Sequence, residues 1–206
     1  MTQVFLSYRA DDQPFAAAFL DHELTREFGD DAVFFASRSI PLGAEWEKAM
    51  FDAVSASDAM LVIIGSRWLT ATDEDGLRRL DRPDDFVRRE VESGLRLGKQ
   101  VIPVHLERRH RMVPGTLPDS LKALADRQGT VVEFRSSKPD MARLMTQLRR
   151  QIPALRTAPV TEPRHTASAP GVDVSTHNTI NGDVNGNLVQ GRTIGGIFIS
   201  GTHYDA

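Results

Sequence analysis

Apolar positions along the first 152 residues follow two alternating rhythms. Short continuous runs of strand length occur at 3–7 (QVFLS), 33–35 (VFF), 59–64 (AMLVII), 100–106 and 130–134. Between them, apolar residues recur at helical spacing. Phe15, Phe19, Leu20, Leu24 and Phe28 predict the buried stripe of a first helix, opened by Asp11 or Asp12 as cap and ended by Gly29. Trp46, Met50, Ala53 and Val54 predict a second helix, and Phe86, Val87, Val91 and Leu95 a third over 84–98. A short helix is expected within 117–125. Met141, Leu144, Met145, Leu148 and Ile152 trace a final amphipathic helix. Residues 36–44, punctuated by Pro41 and Gly43, read as a loop, as does the polar stretch 70–82. Pro103 inside the fourth strand predicts an edge position or a strand end.

Strands alternating with helices give an α/β domain built on a mainly parallel sheet. In such sheets ligands collect at the carboxyl ends of the strands. Topology therefore gathers Ser7, Tyr8 and Arg9, the loop 36–44, and the segment 65–68 at one edge.

After residue 152 the texture changes. Residues 153–175 are rich in Pro, Ala, Thr and Ser without periodicity, the composition of a flexible linker. From 178 to 201 the chain reads NTINGDVNGNLVQGRTIGGIFISG: β-formers separated by glycines, with Asp183 and Arg192 as the charges and no proline. The composition predicts domains at 1–152, 153–175 and 176–201, the extension being mostly disordered in a lone chain.

The net charge of −3 is too mild to point to nucleic acid or an anionic membrane. With no cysteine, disulfides and thiolate sites are excluded. No apolar run approaches the ~20 residues of a membrane span. The N-terminus enters a strand at once, which predicts no signal peptide and a cytoplasmic location. The six histidines lack metal-ligand spacing, so no metal site is expected.

Four segments together resemble a bacterial TIR (Toll/interleukin-1 receptor) domain: VFLSYR at 4–9, SIPLGAEWE at 39–47, MLVIIGSRWL at 60–69 and DDFVRREVESGL at 84–95. The resemblance covers roughly residues 1–150 and implies a flavodoxin-like fold, a five-stranded parallel sheet flanked by helices. Many members of that family cleave the nicotinamide–ribose bond of NAD, while others only scaffold signalling complexes. The family's catalytic glutamate matches Glu47, and its Ser-Tyr-Arg matches Ser7, Tyr8 and Arg9. The chain departs from the family pattern at Ala10, Ala36 and Phe86. The implied activity is that of an NAD nucleosidase, with NAD as substrate and not as cofactor. No Gly-rich dinucleotide fingerprint is present.

The chemistry fits a lone acid. Nicotinamide leaves a cationic centre as a neutral molecule, so the general acid of ordinary glycosidases is not required. One carboxylate beside the ribose can stabilise an oxocarbenium-like transition state. Glu47 suits this by type and place, although an acid in the first turn of a helix is also favoured by the helix dipole. Glu45, two residues away, lies about 200° around the helix and cannot face the same cleft. Arg9 is a candidate for the NAD phosphates and equally a surface arginine. Tyr8 and Trp46 either line the pocket or pack, and Arg38 and Ser39 either meet substrate or a neighbouring protomer or remain solvated. A phosphoacceptor receiver domain on the same fold is disfavoured, because the third strand ends Ile63-Ile64-Gly65 without an acceptor aspartate.

The segment around Val189, Gln190 and Gly191 resembles bacterial signalling-amyloid motifs related to the RIP homotypic interaction motif. Low charge, absent proline and regular β-formers also suit cross-β stacking. The resemblance implies an effector whose tail is templated by a matching motif on a nucleotide-binding receptor. Clustered domains then self-associate through the 36–44 loop and deplete NAD in antiviral defence. A non-catalytic adaptor that recruits partners by homotypic interaction is the alternative.

Overall fold

The computed structural model describes residues 3–107 and 112–156. The expected linker beyond residue 156 and the whole Val189-Gln190-Gly191 segment lie outside the described residues.

Five parallel strands form one sheet: β1 (Val4–Ser7), β2 (Val33–Phe34), β3 (Ala59–Ile64), β4 (Gln100–His105) and β5 (Thr130–Val131), in the order β2-β1-β3-β4-β5. This is the flavodoxin-like arrangement, and it is why central strands read as unbroken apolar runs: every residue of β3 is buried. The helices are α1 (Pro14–Phe28), α2 (Ala36–Ser39), α3 (Trp46–Ala56), α4 (Phe86–Arg96), α5 (Lys122–Ala125) and α6 (Ser137–Gln151).

Alternation along the strands feeds two cores. Val4, Leu6, Leu61 and Ile63 meet α1 and α6 on one face. Phe5, Met60, Val62 and Ile64 meet α3, α4 and α5 on the other. Phe5 and Phe34, partners in register, stack at 5.1 Å. Each fully buried side chain of this kind contributes about 1.5–3 kcal/mol. Gly94 lets α4 lie close to the sheet, since a Cβ there would press on the side chains of Met60 and Val101.

Several sequence expectations are corrected. The buried stripe of α1 is Ala17, Leu20, Asp21, Leu24 and Phe28, whereas Phe15 is 88% exposed and Phe19 also reaches solvent. Phe15 precedes Ala17 by two positions, which turns it about 200° from the core. The cap of α1 is Gln13; the Asp12 carboxylate instead accepts from the backbone N–H groups of Gly65 (2.9 Å) and Arg67 (2.8 Å). A Cβ at Gly65 would collide with that carboxylate. The 36–44 segment begins with a helical turn, α2, and continues as a loop. β4 is an inner strand despite Pro103; β5 pairs with it only at Val104 and His105, past the proline. The 70–82 stretch is anchored by buried Ala71 and Leu80. Phe86 does not point inward: α4 buries Val87, Glu90, Val91, Ser93 and Gly94, and Phe86 keeps 38% of its surface exposed.

Candidate functional site

Helix α4 organises the carboxyl edge of the sheet. Asp85 caps it, accepting from the backbone N–H of Arg88 at 2.9 Å. The same carboxylate takes both terminal nitrogens of Arg9, each at 2.9 Å, in a bidentate pair. Arg9 is 2% exposed. One turn further, the buried Glu90 carboxyl accepts from the Ser7 hydroxyl at 2.6 Å. Burial pushes Glu90 up to about 8, against the pull of the Ser7 hydrogen bond; Asp85 adds to the rise and Arg9 opposes it. This knot ties β1 to α4 and lies inside the protein.

The exposed residues in the first turns of α4 carry a different cluster. Phe86 meets Trp46 edge-on at 4.6 Å between ring centroids. Trp46 begins α3 and is 42% exposed. Glu47 follows it in the first turn of α3, with 51% of its side chain exposed. Arg89 of α4 donates to the Glu47 carboxylate across the gap between the helices. The Arg89 guanidinium also lies over the rings of Phe51 (4.8 Å) and Phe86 (5.4 Å). The result is a shelf of two exposed rings with a carboxylate and a guanidinium along it.

The remaining sequence-named residues are dispersed around this edge. Tyr8 stacks on Phe35 at 5.0 Å, partly buried against the α1 side of the sheet. Arg38 is held by Asp21 (2.8 Å) and by the carbonyl of Val33 (3.0 Å), and its hydrogen bond to Asp21 raises its pKa. The Ser39 hydroxyl accepts from the backbone N–H of Phe35 at 3.1 Å and closes the α2 turn. Trp46 thus shares the shelf with Glu47, while Ser7 and Arg9 belong to the buried knot and Arg38 and Ser39 brace the start of the 36–44 segment. Two cavities lie elsewhere: one of about 440 Å³ lined by Phe15, Phe19, Leu106 and Val132, and one of about 250 Å³ along β4, the 127–129 segment and α6.

A family model for the TIR domain matches residues 4–149. The chain belongs to the TIR-domain family. Its fold is similar to that of the TIR domains in the activated Roq1 resistosome directly recognizing the pathogen effector XopQ, with a TM-score of 0.55 at 13% identity, over 72% of this chain and 99% of that one. The TIR domain of the Toll-related receptor TRR-2 from Hydra magnipapillata aligns at 0.46 and 17% identity, over 73% and 99%. A metazoan TIR-STING receptor from C. gigas aligns at 0.41 and 20%, over 68% of this chain and 38% of that receptor. These likenesses concern the fold alone. No curated protein sequence matches the chain significantly.

Reading this TIR domain from sequence alone missed three contributors. Glu90 has a visible signal, a carboxylate set among Val87, Val91 and Gly94 at helical spacing. Asp85 has a weaker one, an acid immediately before an apolar-periodic helix. Arg89 has none, because its partner lies 42 positions away on another helix. Among the described residues, no group of His, Asp and Glu side chains could hold a metal ion, and no helix is long and apolar enough to cross a membrane.

Proposed function

We propose that this TIR-domain protein hydrolyses NAD through Glu47 when copies are clustered by the C-terminal segment. The observation that carries the reading is the accessibility of Glu47: its carboxylate sits at a helix start beside two exposed aromatic rings, at the carboxyl edge of the sheet. The other family-matched residues of that edge, Ser7 and Arg9, are buried and engaged. Their contribution is to fix α4, and with it Phe86 and Arg89, relative to β1.

In the reaction, the bond between the ribose C1′ and the pyridinium nitrogen breaks, and its electron pair neutralises the departing nicotinamide. Positive charge grows on the ribose ring and C1′, where the Glu47 carboxylate stabilises it. Water adds its oxygen to C1′ and releases a proton, giving ADP-ribose. Trp46 and Phe86 supply flat apolar walls for the nicotinamide and ribose.

The shelf is open, so a second surface is needed to exclude water and strengthen the electrostatic interaction. Clustering supplies one: the 36–44 segment of a neighbouring copy closes over the shelf. The tail at 176–201 brings copies together by cross-β stacking centred on Val189, Gln190 and Gly191, templated by a matching segment on a nucleotide-binding receptor. The linker keeps the attached domains at high effective concentration. This assigns the protein to a bacterial immune or cell-death pathway that depletes NAD in the cytoplasm.

A non-catalytic adaptor is the second reading, favoured by the pairing of Glu47 with Arg89 and the openness of the shelf. The full chain immobilised at high density and supplied with NAD separates the two. Nicotinamide release well above that of the dispersed protein is expected. Intact NAD after hours at high density would leave the adaptor.

A further inference from the structure

We propose that Arg38 is a latch that presets the 36–44 segment for contact with a second copy of this chain, Leu42 being the side chain it presents. This rests on the reading that copies meet through the 36–44 segment, and it is independent of which carboxylate reacts.

The first half of the segment is fastened. The Arg38 guanidinium donates through Nη2 and Nε to the two oxygens of Asp21, at 2.8 and 3.2 Å. Through Nη2 it also reaches the Val33 carbonyl at 3.0 Å, and through Nη1 the Asp30 carbonyl at 3.4 Å. One side chain thus ties α2 to the middle of α1 and to β2. The Ser39 hydroxyl, accepting from the Phe35 N–H, closes the same turn.

The second half is presented. Residues 41–48 are exposed, and Leu42 is wholly so. The turn is closed from within. The Ile40 N–H donates to the Ala36 carbonyl at 3.3 Å and the Ala44 N–H to the Pro41 carbonyl at 3.2 Å, with Gly43 at φ +80° in the reversal. This turn hangs between two pins: Arg38 on one side, and on the other the Trp46–Phe86 contact at the start of α3.

Asp21 marks the latch as more than a surface pair. It lies on the buried stripe of α1, among Ala17, Leu20, Leu24 and Phe28, and is 8% exposed. A carboxylate there is costly without a counter-charge. Arg38 supplies that charge, and the Thr25 hydroxyl also donates to Asp21 at 3.3 Å. An apolar side chain at this position would serve the core as well, since a buried ion pair adds little over apolar packing. What the pair adds is direction. A guanidinium fork engaged on both carboxylate oxygens fixes where α2 points, and α2 fixes where the turn begins. A preset turn loses less conformational freedom on association than a free loop does. Leu42, an apolar side chain at the end of a braced arm, then gains by leaving water against the neighbouring copy.

The test is hydrogen exchange in the full chain, dispersed and at high density. It compares the parent with Arg38→Gln, Arg38→Lys, Leu42→Ser and the double variant Asp21→Asn/Arg38→Gln. In the parent, the amides within 40–45 should exchange fast when dispersed and slow at high density. The double variant removes both charges together and leaves neither buried alone, so it should unfold close to the parent. The density it needs for the same protection should nevertheless rise about tenfold. Arg38→Lys, which keeps the charge and not the fork, should recover part of what Arg38→Gln loses. Leu42→Ser should lose the protection within 40–45 and keep the slow exchange of 36–39.

Undiminished protection in the double variant overturns the proposal, as does protection that is lost only in step with global stability across the series. Protection absent from the parent at high density overturns it together with the reading it rests on, because copies then do not meet through this segment.

Discussion

The buried and the exposed residues around the start of α4 make opposite uses of the same residue types. On the sheet side, Arg9, Asp85, Ser7 and Glu90 form a buried knot in which arginine meets carboxylate with both terminal nitrogens engaged. On the solvent side, Arg89 meets Glu47 through one nitrogen, on a shelf open to solutes. The first pair is buried and the second is open to solvent. The difference comes from burial: desolvation makes an interior charge costly to leave alone, whereas an exposed one trades protein for water or ligand at little cost. The resemblance groups Ser7, Arg9 and Glu47, and the structure places the first two in the knot and the third on the shelf.

The sharpest way to break this contrast is Arg9→Ala. It leaves Asp85 buried without its partner and should cost about 3–5 kcal/mol in denaturant unfolding. A loss near that expected for an exposed pair, about 0–1 kcal/mol, would show the knot to be no different from the shelf.

Next comes the pH response of Glu90. Its folded-state value of about 8 lies above the ordinary 4.5. The folded protein therefore holds a proton that the unfolded chain has released across that window. Its contribution to stability is complete below about 4.5 and declines as pH rises through about 8, by an amount on the order of a few kcal/mol. Glu90→Gln should remove this slope from a series of unfolding curves between these limits. A parallel slope in the variant would place the titration elsewhere.

The smallest effect belongs to Phe15. At 88% exposure, Phe15→Ser should change stability by no more than about 0.5 kcal/mol. A cost above about 2 kcal/mol would restore Phe15 to the buried stripe that sequence periodicity assigns it.

Periodicity was informative wherever burial is continuous. The AMLVII run is β3, fully buried, and Met141, Leu144, Met145 and Leu148 lie on the buried face of α6, with Ile152 buried just past its end. It misled where an apolar residue is not a core residue: Phe15, Phe19 and Phe86 fit a helical rhythm loosely and reach solvent. Pro103 suggested an edge because a proline cannot serve a ladder on both flanks, and the short β5 avoids that conflict by pairing beyond it. On the shelf, the place of Trp46 and Glu47 at a helix start is legible in the sequence. The knot is not, because the Arg9–Asp85 pair spans 76 positions and the Ser7–Glu90 bond 83, separations that no local pattern encodes.

Glu45 and Glu47 offer the most direct measurement of the central claim. Both are exposed acids at the start of α3, Glu45 as its cap and Glu47 in its first turn, and Glu47 faces the shelf through Arg89. Nicotinamide release by the clustered full chain should fall to background in Glu47→Gln and stay near the parent rate in Glu45→Gln, with both variants unfolding like the parent. Release that survives Glu47→Gln, or vanishes equally in both, would contradict the assignment of the chemistry to this carboxylate.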